Sequence, residues 1–501
     1  MRILYTSDIH GYVTNKSYAF NTKENQGLAG LATYIKMNKD ENTLLIDNGD
    51  IIQGSPLTYY HHLYNEDNIN PLALCFNELK YDYFNIGNHD FNYHQDVLVK
   101  FINDINAKCI TGNIKGNHKL EFNYQKINIE NKNVVIIGVT NDYIKNWELK
   151  DNILGLEFID AFDYLKYEIS NLKKHQDYDY LIVCYHGGFE KNLDGSDLDI
   201  ESPDNKGYKM LSMLPEIDLL LTGHQHRSIV DTVNKTNIVQ VTCNAKEIAK
   251  IDICLDTKET KMEIIQNKFE QDEKILEIIE HIENDTQKWL DKPLGSLVTN
   301  DAIVTDGFIA RRDNHPCISF LNQIQLEHYD ADVSAISLFN DAKGFNQNIT
   351  MRDVVSTYVY PNTLVKLEIT GKQLKNYLEN SVKYFDIVDD EIVIAKSYYD
   401  PKPIHYEYDI LYGIDYLVKV SNPIGNKVIE IKKDDKVILD DQILTMVINN
   451  YRLAGGGNYN VIKECKIIAN DGLEMVDIIA EYIIKNSPIN IKHTKNLKLI
   501  K

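Results

Sequence analysis

The chain has 501 residues, of which 53 are basic and 74 acidic, so its formal net charge is −21. A chain of this length predicts roughly two or three domains with substantial cores, which excludes a small disulfide-stapled scaffold. The hydrophobic fraction of 43% is that of an ordinary folded protein. Because the acidic surplus repels nucleic-acid backbones and anionic membrane surfaces, we expect neither a nucleic-acid polymer nor a membrane as a partner.

The start of the chain and its cysteines both bear on location. The residues after Met1 lack the apolar core of a signal peptide, and no run of about 18 apolar residues occurs. Seven cysteines are scattered singly with no CxxC pair, a pattern typical of reduced thiols. We therefore expect a cytoplasmic protein, provided that Met1 is the natural start.

The first half of the chain alternates short apolar runs with helical stretches, and a polar loop follows each run. The apolar runs cover residues 3–5, 43–46, 83–86, 134–137, 181–185 and 218–221. This alternation predicts a layered α/β domain whose ligands lie beyond the carboxyl ends of the strands.

The second half begins after a charged, helical stretch. The pattern of residues 271–292 predicts a helix that ends at Pro293. The sequence after it alternates between segments typical of helices and runs typical of strands. We predict a first domain over 1–270, a linker helix over 271–292 and a second, α+β domain over 293–501.

Five polar clusters follow apolar runs in the first half. Their imidazole and oxygen donors suit Mn²⁺, Zn²⁺ or Fe, and the absence of cysteine argues against a structural thiolate zinc site. Residues two apart in an extended segment point to the same side, so paired donors in one cluster can hold one metal or two neighbouring ones. The clusters are Asp8-Ile9-His10-Gly11, Asn48-Gly49-Asp50-Ile51, Gly87-Asn88-His89-Asp90, Tyr185-His186-Gly187-Gly188 and Gly223-His224-Gln225-His226.

Taken singly, each cluster has an ordinary structural explanation. An Asp-x-His pair is typical of a turn, and Asn88 followed by His89 is typical of a helix cap. Five such clusters at strand ends, each with a glycine that permits close backbone approach, favour a metal site instead.

In this order the clusters resemble the motif set of the calcineurin-like metallophosphoesterases. With its second half included, the whole chain resembles the bacterial 5′-nucleotidase and 2′,3′-cyclic-nucleotide 2′-phosphodiesterase/3′-nucleotidase family. The resemblance implies a four-layer α/β/β/α sandwich, a linker helix and a C-terminal substrate-binding domain.

The resemblance also implies two divalent metal ions that share Asp50 as a bridging ligand. Two cations roughly 3.5–4 Å apart clamp a phosphoryl oxygen and activate a bridging hydroxide as the nucleophile. His89 would stabilise the transition state or protonate the leaving oxygen. The implied ligands of one metal are Asp8, His10 and His226, and those of the other are Asn88, His186 and His224.

One position departs from the 5′-nucleotidase branch of that family. In that branch an Asp stands three residues after the histidine and orients it, whereas here the position is Asn92. The cyclic-phosphodiesterase branch commonly has Asn there, and Asp90 is a nearby alternative source of charge. We therefore take His89, Asp90 and Asn92 as the catalytic candidates and favour the cyclic-nucleotide branch.

Base recognition is expected in the second domain. The resemblance places Tyr360 and Tyr451 on the two faces of a nucleobase, with Asn362 hydrogen-bonded to it, although tyrosines of this kind often serve only in packing. Arg452 is a weaker candidate for contact with ribose or phosphate. Arg311 and Arg312 are also candidates, for which a surface role is an equal alternative.

The leading hypothesis is therefore a metal-dependent 2′,3′-cyclic-nucleotide 2′-phosphodiesterase/3′-nucleotidase that acts on a small-molecule nucleotide. Within the same class, the alternative is a 5′-nucleotidase or UDP-sugar hydrolase. From another class, the alternative is a nucleotide-binding receptor without catalysis, and the complete set of metal donors argues against it.

Overall fold

A computed structural model of the chain describes residues 1–20, 22–175, 178–198, 204–360, 362–400 and 402–501. Pro361, between the base-recognition candidates Tyr360 and Asn362, lies outside the described residues. The chain divides into two compact units, Met1–Gln287 and Lys288–Lys501. In the described ranges, no helix is both long enough and apolar enough to cross a membrane.

Short strands and amphipathic helices alternate through the first unit. Helices α2 and α3 begin at cap–proline pairs, where Ser55 accepts a hydrogen bond from the N–H of Thr58 and Asn70 accepts one from that of Leu72. The helices are α1 (Leu28–Asn38), α2 (Pro56–Tyr64), α3 (Pro71–Leu79), α4 (Gln95–Asp104), α5 (Ala161–His175), α6 (Gly207–Met213) and α7 (Glu273–Leu290). The strands are β1 (Arg2–Thr6), β2 (Thr43–Asp47), β3 (Tyr83–Phe84), β4 (Lys108–Cys109), β5 (Ile114–Lys115), β6 (Gln125–Ile129), β7 (Lys132–Thr140), β8 (Glu157–Phe158), β9 (Tyr180–His186), β10 (Leu219–Thr222), β11 (Ile229–Val233), β12 (Thr236–Gln240), β13 (Glu247–Ile253) and β14 (Thr260–Gln266).

Twelve of these strands form two six-stranded sheets, in the orders β14-β13-β1-β2-β3-β4 and β11-β12-β10-β9-β7-β6, and β5 pairs with β8. The pairs from β1 to β4 are parallel, and so are those joining β7, β9, β10 and β12. The carboxyl ends of the parallel strands therefore meet at one edge of each sheet.

The inner faces of the two sheets share one apolar core. Ile3 and Tyr5 of β1 belong to the same buried cluster as Ile182 of β9 and Leu221 of β10. Because side chains alternate along a strand, the neighbouring residues face outward. Val183 packs with helices α5 and α6 on the outer face of the second sheet. On the first sheet, Phe84 and Phe101 bring β3 and α4 together, with ring centroids 6.0 Å apart. The four-layer α/β/β/α architecture is confirmed.

Helix α7 falls within the stretch predicted as a linker helix. Its apolar residues Ile275 and Ile279 are buried. Glu283 accepts a hydrogen bond of 2.8 Å from the hydroxyl of Tyr18, so the first part of the helix is fastened to the first unit.

The second unit is of the α+β type. Its largest sheet has the order β21-β16-β25-β18-β26, and a four-stranded sheet has the order β24-β23-β22-β27. The helices are α8 (Gly307–Arg312), α9 (Pro316–Tyr329), α10 (Met351–Thr357), α11 (Gly371–Ser381), α12 (Asn450–Leu453) and α13 (Met475–Asn486). The strands are β15 (Pro293–Ser296), β16 (Val333–Ser337), β17 (Asn348–Thr350), β18 (Leu364–Thr370), β19 (Phe385–Val388), β20 (Glu391–Ile394), β21 (Asp409–Tyr412), β22 (Asp415–Lys419), β23 (Val428–Lys433), β24 (Lys436–Val437), β25 (Ile443–Asn449), β26 (Lys466–Ala469) and β27 (Leu497–Ile500).

Candidate metal centre

The seven expected metal ligands lie at the carboxyl ends of strands from both sheets of the first unit. Three strands of the first sheet and two of the second contribute them. Asp8 and His10 follow β1, Asp50 follows β2, Asn88 follows β3, His186 ends β9, and His224 and His226 follow β10.

Asp8, His10 and His226 form one cluster of donor atoms, all within 4.8 Å of one another. Nε2 of His226 lies 3.3 Å from a carboxylate oxygen of Asp8 and 3.1 Å from Nε2 of His10. Nδ1 of His10 faces the carbonyl oxygen of Gln53 at 2.9 Å, which makes Nδ1 the protonated nitrogen. The lone pair of its Nε2 is thereby directed into the cluster, as a metal ligand requires.

Asp50, His186 and His224 form the second cluster. Oδ1 of Asn88 lies 3.2 Å from Nε2 of His186 and 2.8 Å from Nδ1 of His224. The other ring nitrogen of each histidine has a hydrogen-bond acceptor. Nδ1 of His186 lies 2.6 Å from the carbonyl oxygen of Asn48, and Nε2 of His224 lies 3.0 Å from a carboxylate oxygen of Asp204. An amide oxygen and two imidazole lone pairs therefore converge on one point, which fits a bound cation.

Asp50 lies between the two clusters. Its Oδ2 is 3.2 Å from Nε2 of His186 in one cluster and 3.9 Å from Nε2 of His10 in the other. The residue is 0% exposed, and no described residue supplies an aligned hydrogen-bond donor to this oxygen. A buried oxygen of this kind is costly unless a cation completes it, so it fits a bridging ligand.

The electrostatics of Asp50 and His186 call for a positive charge between them. Burial opposes ionisation of Asp50, but the imidazoles of His186 and His89 hold its pKa well below the usual range. Burial likewise lowers the pKa of His186, and the Asp50 carboxylate overrides it and raises that pKa to about 9. The two groups together favour a positive charge at this place, which fits a bound cation.

Five of the seven expected ligands have a left-handed backbone. Their φ angles are 55° for Asp8, 51° for His10, 57° for Asp50, 66° for His224 and 54° for His226. Such a conformation costs a non-glycine residue about 1–2 kcal/mol and accumulates at functional sites. The N–H of Asp8 donates to the carbonyl of Gly49, and that of His10 to the carbonyl of Asp50, both at 2.9 Å. These bonds tie the two loops together and hold the strained conformations.

Asp90 positions the Asp50 loop. Its two carboxylate oxygens accept four backbone N–H bonds of 2.8–3.0 Å, from Asp50, Ile51, Ile52 and Gly87. Burial, then the charge of Asp50, raises the pKa of this carboxyl to about 6. These bonds direct Asp90 at the backbone, while the ring of His89 is partnered elsewhere.

The ring of His89 faces Asn92. Nδ1 of His89 lies 2.7 Å from Oδ1 of Asn92, and the backbone N–H of His89 donates to Oδ1 of Asp50 at 2.7 Å. The side-chain amide of Asn92 in turn donates to Glu148 at 2.6 Å. Sequence analysis did not single out Glu148, because a separation of 56 positions from Asn92 hides their proximity.

Two buried asparagines, Asn48 and Asn85, join the sheets beneath the site; sequence analysis named Asn48 only as part of a cluster and did not single out Asn85. The Asn85 side chain donates to Oδ1 of Asn48 at 3.0 Å and to the carbonyl oxygen of Val139 at 2.9 Å. Asn48 donates to the carbonyl oxygen of Tyr185 at 3.0 Å. The signal that could have found Asn85 is its position as a polar residue inside the otherwise apolar run 83–86.

In the second unit, the two segments expected to hold the base are joined at one point. Asn450 donates its N–H to the carbonyl of Thr363, and its side-chain oxygen accepts the N–H of Thr363, both at 3.0 Å. Tyr360 precedes this junction and Tyr451 follows it. The segments therefore meet at the paired ends of β18 and β25.

Close packing fixes the surroundings of these side chains. A Cβ on Gly456 would lie 2.4 Å from the ring of Tyr451, so only glycine lets the backbone lie against that ring. The ring of Tyr360 contacts Phe339 edge-on at 5.1 Å. The Asn362 amide donates to the hydroxyl of Tyr358 at 3.4 Å.

Arg452, the weaker candidate for contact with the substrate, is enclosed by the protein. Its side chain is 1% exposed and pairs with Asp409 through two hydrogen bonds of 2.8 and 2.9 Å. Further bonds run to the carbonyl oxygens of Tyr406 and Gly456. Its donors are thus committed to holding the fold. Arg311 is similarly buried, with bonds to the carbonyls of Leu338 and Phe339.

Two sheets whose strand ends gather carboxylate, amide and imidazole donors on both sides of Asp50 form the arrangement expected of a metallophosphoesterase. The sequence profile of the calcineurin-like phosphoesterases matches residues 1–228, and that of the 5′-nucleotidase C-terminal domain matches residues 286–464. The chain belongs to the family that combines these two domains and is a phosphoric ester hydrolase. Members of the calcineurin-like class use divalent metals, and the two donor clusters agree with this.

Individual relatives match the whole chain or nearly all of it. A Staphylococcus aureus crystal structure of a candidate 5′-nucleotidase is 30% identical, with a TM-score of 0.92 and 100% of both chains covered. The trifunctional nucleotide phosphoesterase protein YfkN of Bacillus subtilis is 25% identical over 99% of this chain, which spans only 38% of YfkN. A 2′,3′-cyclic-nucleotide 2′-phosphodiesterase/3′-nucleotidase of Haemophilus influenzae is 24% identical over 100% of this chain and 87% of its own length.

Proposed function

We propose that the protein is a 2′,3′-cyclic-nucleotide 2′-phosphodiesterase/3′-nucleotidase that uses two divalent cations. The observation that carries the metal part is Oδ2 of Asp50, which is buried between two donor clusters without an aligned hydrogen-bond donor among the described residues. The choice of branch is supported by the carboxamide of Asn92 beside His89 and by the names of the Haemophilus, Salmonella and Yersinia relatives.

The proposed division of labour follows from the donors. Asp8, His10 and His226 would hold one cation, and Asn88, His186 and His224 would hold the other, with Asp50 shared. When bound, such a pair polarises a phosphoryl group and activates water. His89, attached to Asp50 through its backbone N–H, would lie near the leaving oxygen and exchange a proton with it. Asp90 would keep the Asp50 loop in place.

We further propose that Tyr360 and Tyr451 stack against the base and that Asn362 hydrogen-bonds to it. The junction at Thr363 and Asn450 supports this, because it brings the two segments to the same strand ends. Stacking on tyrosine tolerates every base, which suits a broad nucleotide specificity.

The assignment of residues 1–270 to phosphate chemistry and 293–501 to substrate binding is part of the proposal. It is supported by the two compact units and by the ranges of the two family profiles. A cytoplasmic location is supported by the seven cysteines, which are all free thiols, and fractionation of the native cell would test it.

A second candidate within the same class is a 5′-nucleotidase. The Staphylococcus aureus structure at 30% identity favours it, as do the more distant 5′-nucleotidases of two Vibrio species. A nucleotide receptor without catalysis is disfavoured because every expected metal donor and His89 are present.

One assay separates these candidates. The purified full chain is loaded in turn with Mn²⁺, Zn²⁺ and Fe²⁺, and is then assayed against 2′,3′-cyclic AMP, 3′-AMP, 5′-AMP and UDP-glucose. The proposal expects metal-dependent hydrolysis of the first two. Cleavage of 5′-AMP alone would contradict the branch, and tight base binding without hydrolysis under any metal would favour a receptor.

A further inference from the structure

The amide of Asn92 has two possible orientations, and the choice determines what it offers to His89. With its oxygen toward Nδ1, the amide accepts a hydrogen from His89; with its nitrogen in that place, it donates one. The first orientation keeps the hydrogen on Nδ1 and leaves Nε2 to exchange a proton, whereas the second reverses the roles of the two ring nitrogens.

Glu148 resolves this choice because a carboxylate only accepts hydrogen bonds. One of its oxygens lies 2.6 Å from Nδ2 of Asn92. The other accepts the N–H of Leu149 and the side-chain amide of Asn152, both at 2.8 Å. The donors around Glu148 therefore match an ionised carboxylate, which leaves only the amide nitrogen of Asn92 to face it.

The surrounding structure holds this arrangement in place. The Asn152 amide also donates to the backbone carbonyl of Asn92 at 3.2 Å, so one side chain fastens both Glu148 and Asn92. Asn92 and Glu148 are half-buried, which strengthens their hydrogen bond relative to one in open water. Glu148 forms hydrogen bonds with Asn92, Leu149 and Asn152, none of which is an expected metal ligand. Asn92 in turn contacts His89, so Asn92 connects Glu148 to the site.

We propose that Glu148 is a positioning residue of the reaction. By accepting a hydrogen bond from Asn92, it fixes the amide with Oδ1 toward His89 and so keeps the hydrogen of that ring on Nδ1. An aspartate at position 92 would place a negative charge directly beside His89. Here the charge lies on Glu148 instead and acts on His89 through the amide of Asn92. The inference rests on the proposed catalytic role of His89.

Exchanging the charges of positions 92 and 148 tests the proposal. In Glu148→Gln the new amide can accept or donate, so Asn92 is free to turn, and we expect kcat on the nucleotide substrate to fall about tenfold with KM nearly unchanged. In Asn92→Asp two carboxylates face each other, and kcat should also fall. In the double variant the carboxylate introduced at position 92 accepts from His89 and from the amide introduced at position 148. Its kcat should therefore return to within about threefold of the wild type.

The double variant decides between positioning and general damage. If its loss equals or exceeds the product of the two single losses, the proposal is wrong, because two independent structural defects add. The matched control is Glu157→Gln, an exposed glutamate on β8, which should leave kcat unchanged. Should Glu148→Gln not fold, Asn152→Ala removes a donor from both partners and should lower kcat about two- to fivefold; an unchanged kcat would contradict the proposal.

A second readout does not depend on activity. Imidazole ¹⁵N shifts of the zinc-loaded protein report which nitrogen of His89 carries hydrogen, with the resonance assigned by its loss in His89→Ala. We expect hydrogen on Nδ1 in the wild type and the double variant, and a mixture in Glu148→Gln. An unchanged tautomer in Glu148→Gln would overturn the inference. A wild type that hydrolyses none of the nucleotides would overturn the proposed function. The ¹⁵N shifts would still show whether Glu148 determines the tautomer of His89.

Discussion

Asp50 in the first unit and Asp409 in the second are both buried carboxylates beside cationic or imidazole groups. They differ in whether hydrogen-bond donors reach both carboxylate oxygens. Both oxygens of Asp409 accept hydrogen bonds, from Arg452 and from the hydroxyl of Tyr377. One oxygen of Asp50 has no aligned donor among the described residues and faces imidazoles of two clusters. A satisfied buried carboxylate holds the fold together, whereas an unsatisfied one among converging lone pairs marks a place for a cation.

The backbone shows the same contrast. Left-handed conformations at five expected ligands in the first unit store strain that the surrounding loops must hold. Asp409, by contrast, lies within regular strand β21, and Arg452 lies in the short helix α12. Regular elements carry the satisfied pair, and strained loops carry the unsatisfied donors.

The largest expected effect comes from Asp50→Asn. This change removes the shared negative charge, so we expect reduced metal content and a loss of hydrolysis of at least about 10³-fold. Chelation should lower the melting temperature of the wild type more than that of the variant, because metal binding stabilises the folded state. Metal analysis and calorimetry measure both quantities, with the exposed Asp163→Asn as the control. Full metal content in Asp50→Asn would remove the contrast between Asp50 and Asp409.

The next effect concerns proton transfer within the first unit. His89→Ala should lower kcat on a nucleotide by about 10²- to 10⁴-fold while metal content stays unchanged. The loss should be much smaller with p-nitrophenyl phosphate, whose leaving group departs without a proton. Steady-state kinetics on both substrates measure this difference, and the exposed His118→Ala serves as the control. Equal losses on the two substrates would count against a proton-transfer role.

Breaking the satisfied pair should act on folding instead. Asp409→Ala leaves Arg452 charged and buried, and we expect the free energy of unfolding of the second unit to fall by about 3–5 kcal/mol. Replacing both partners, as in Asp409→Leu with Arg452→Met, should cost less, because no uncompensated charge remains. Chemical denaturation of the full chain measures both variants. A stable Asp409→Ala with a raised KM would instead support Arg452 as a substrate contact.

Sequence patterns predicted a layered α/β domain and the strand-end clusters because both depend on local order, whereas the four-layer sandwich was implied by the family resemblance. Alternation of apolar runs with helices reports the layers, and residues that follow parallel strands must meet at one sheet edge. The pattern therefore located Asp8 and Asp50 near each other, as the structure shows, whereas His186 ends a strand of the second sheet. Their roles as ligands remain part of the proposal.

The same patterns could not predict which polar side chains are buried or which distant residues they contact. An arginine beside a glycine run reads as a ligand contact, and only the fold reveals that Arg452 is enclosed with Asp409, 43 residues earlier in the chain. Glu148 was missed for a related reason, since nothing local marks a glutamate that bonds to a side chain on another loop. The left-handed backbone of the ligand loops likewise depends on tertiary hydrogen bonds between them.

Tyr451→Ala tests whether the second unit recognises a base. Stacking on an aromatic ring is worth about 1–3 kcal/mol, so KM for nucleotides should rise about 5- to 150-fold. Hydrolysis of p-nitrophenyl phosphate, which has no base, should change little. Tyr451→Phe keeps the ring and should stay close to the wild type, and the exposed Tyr167→Ala provides a surface control. A KM that is unchanged in Tyr451→Ala would place base recognition elsewhere.

The smallest expected effect is that of Gly456→Ala, because it displaces the Tyr451 ring without removing it. The added methyl group would lie about 2.4–2.5 Å from three ring atoms, so the ring must shift. We expect a rise of a few fold in KM for nucleotides, below that of Tyr451→Ala. When the ring is already absent, as in the double variant, Gly456→Ala should add nothing, because the atoms with which its methyl collides are gone. Additive effects in that double variant would mean that Gly456 acts through the backbone rather than through Tyr451.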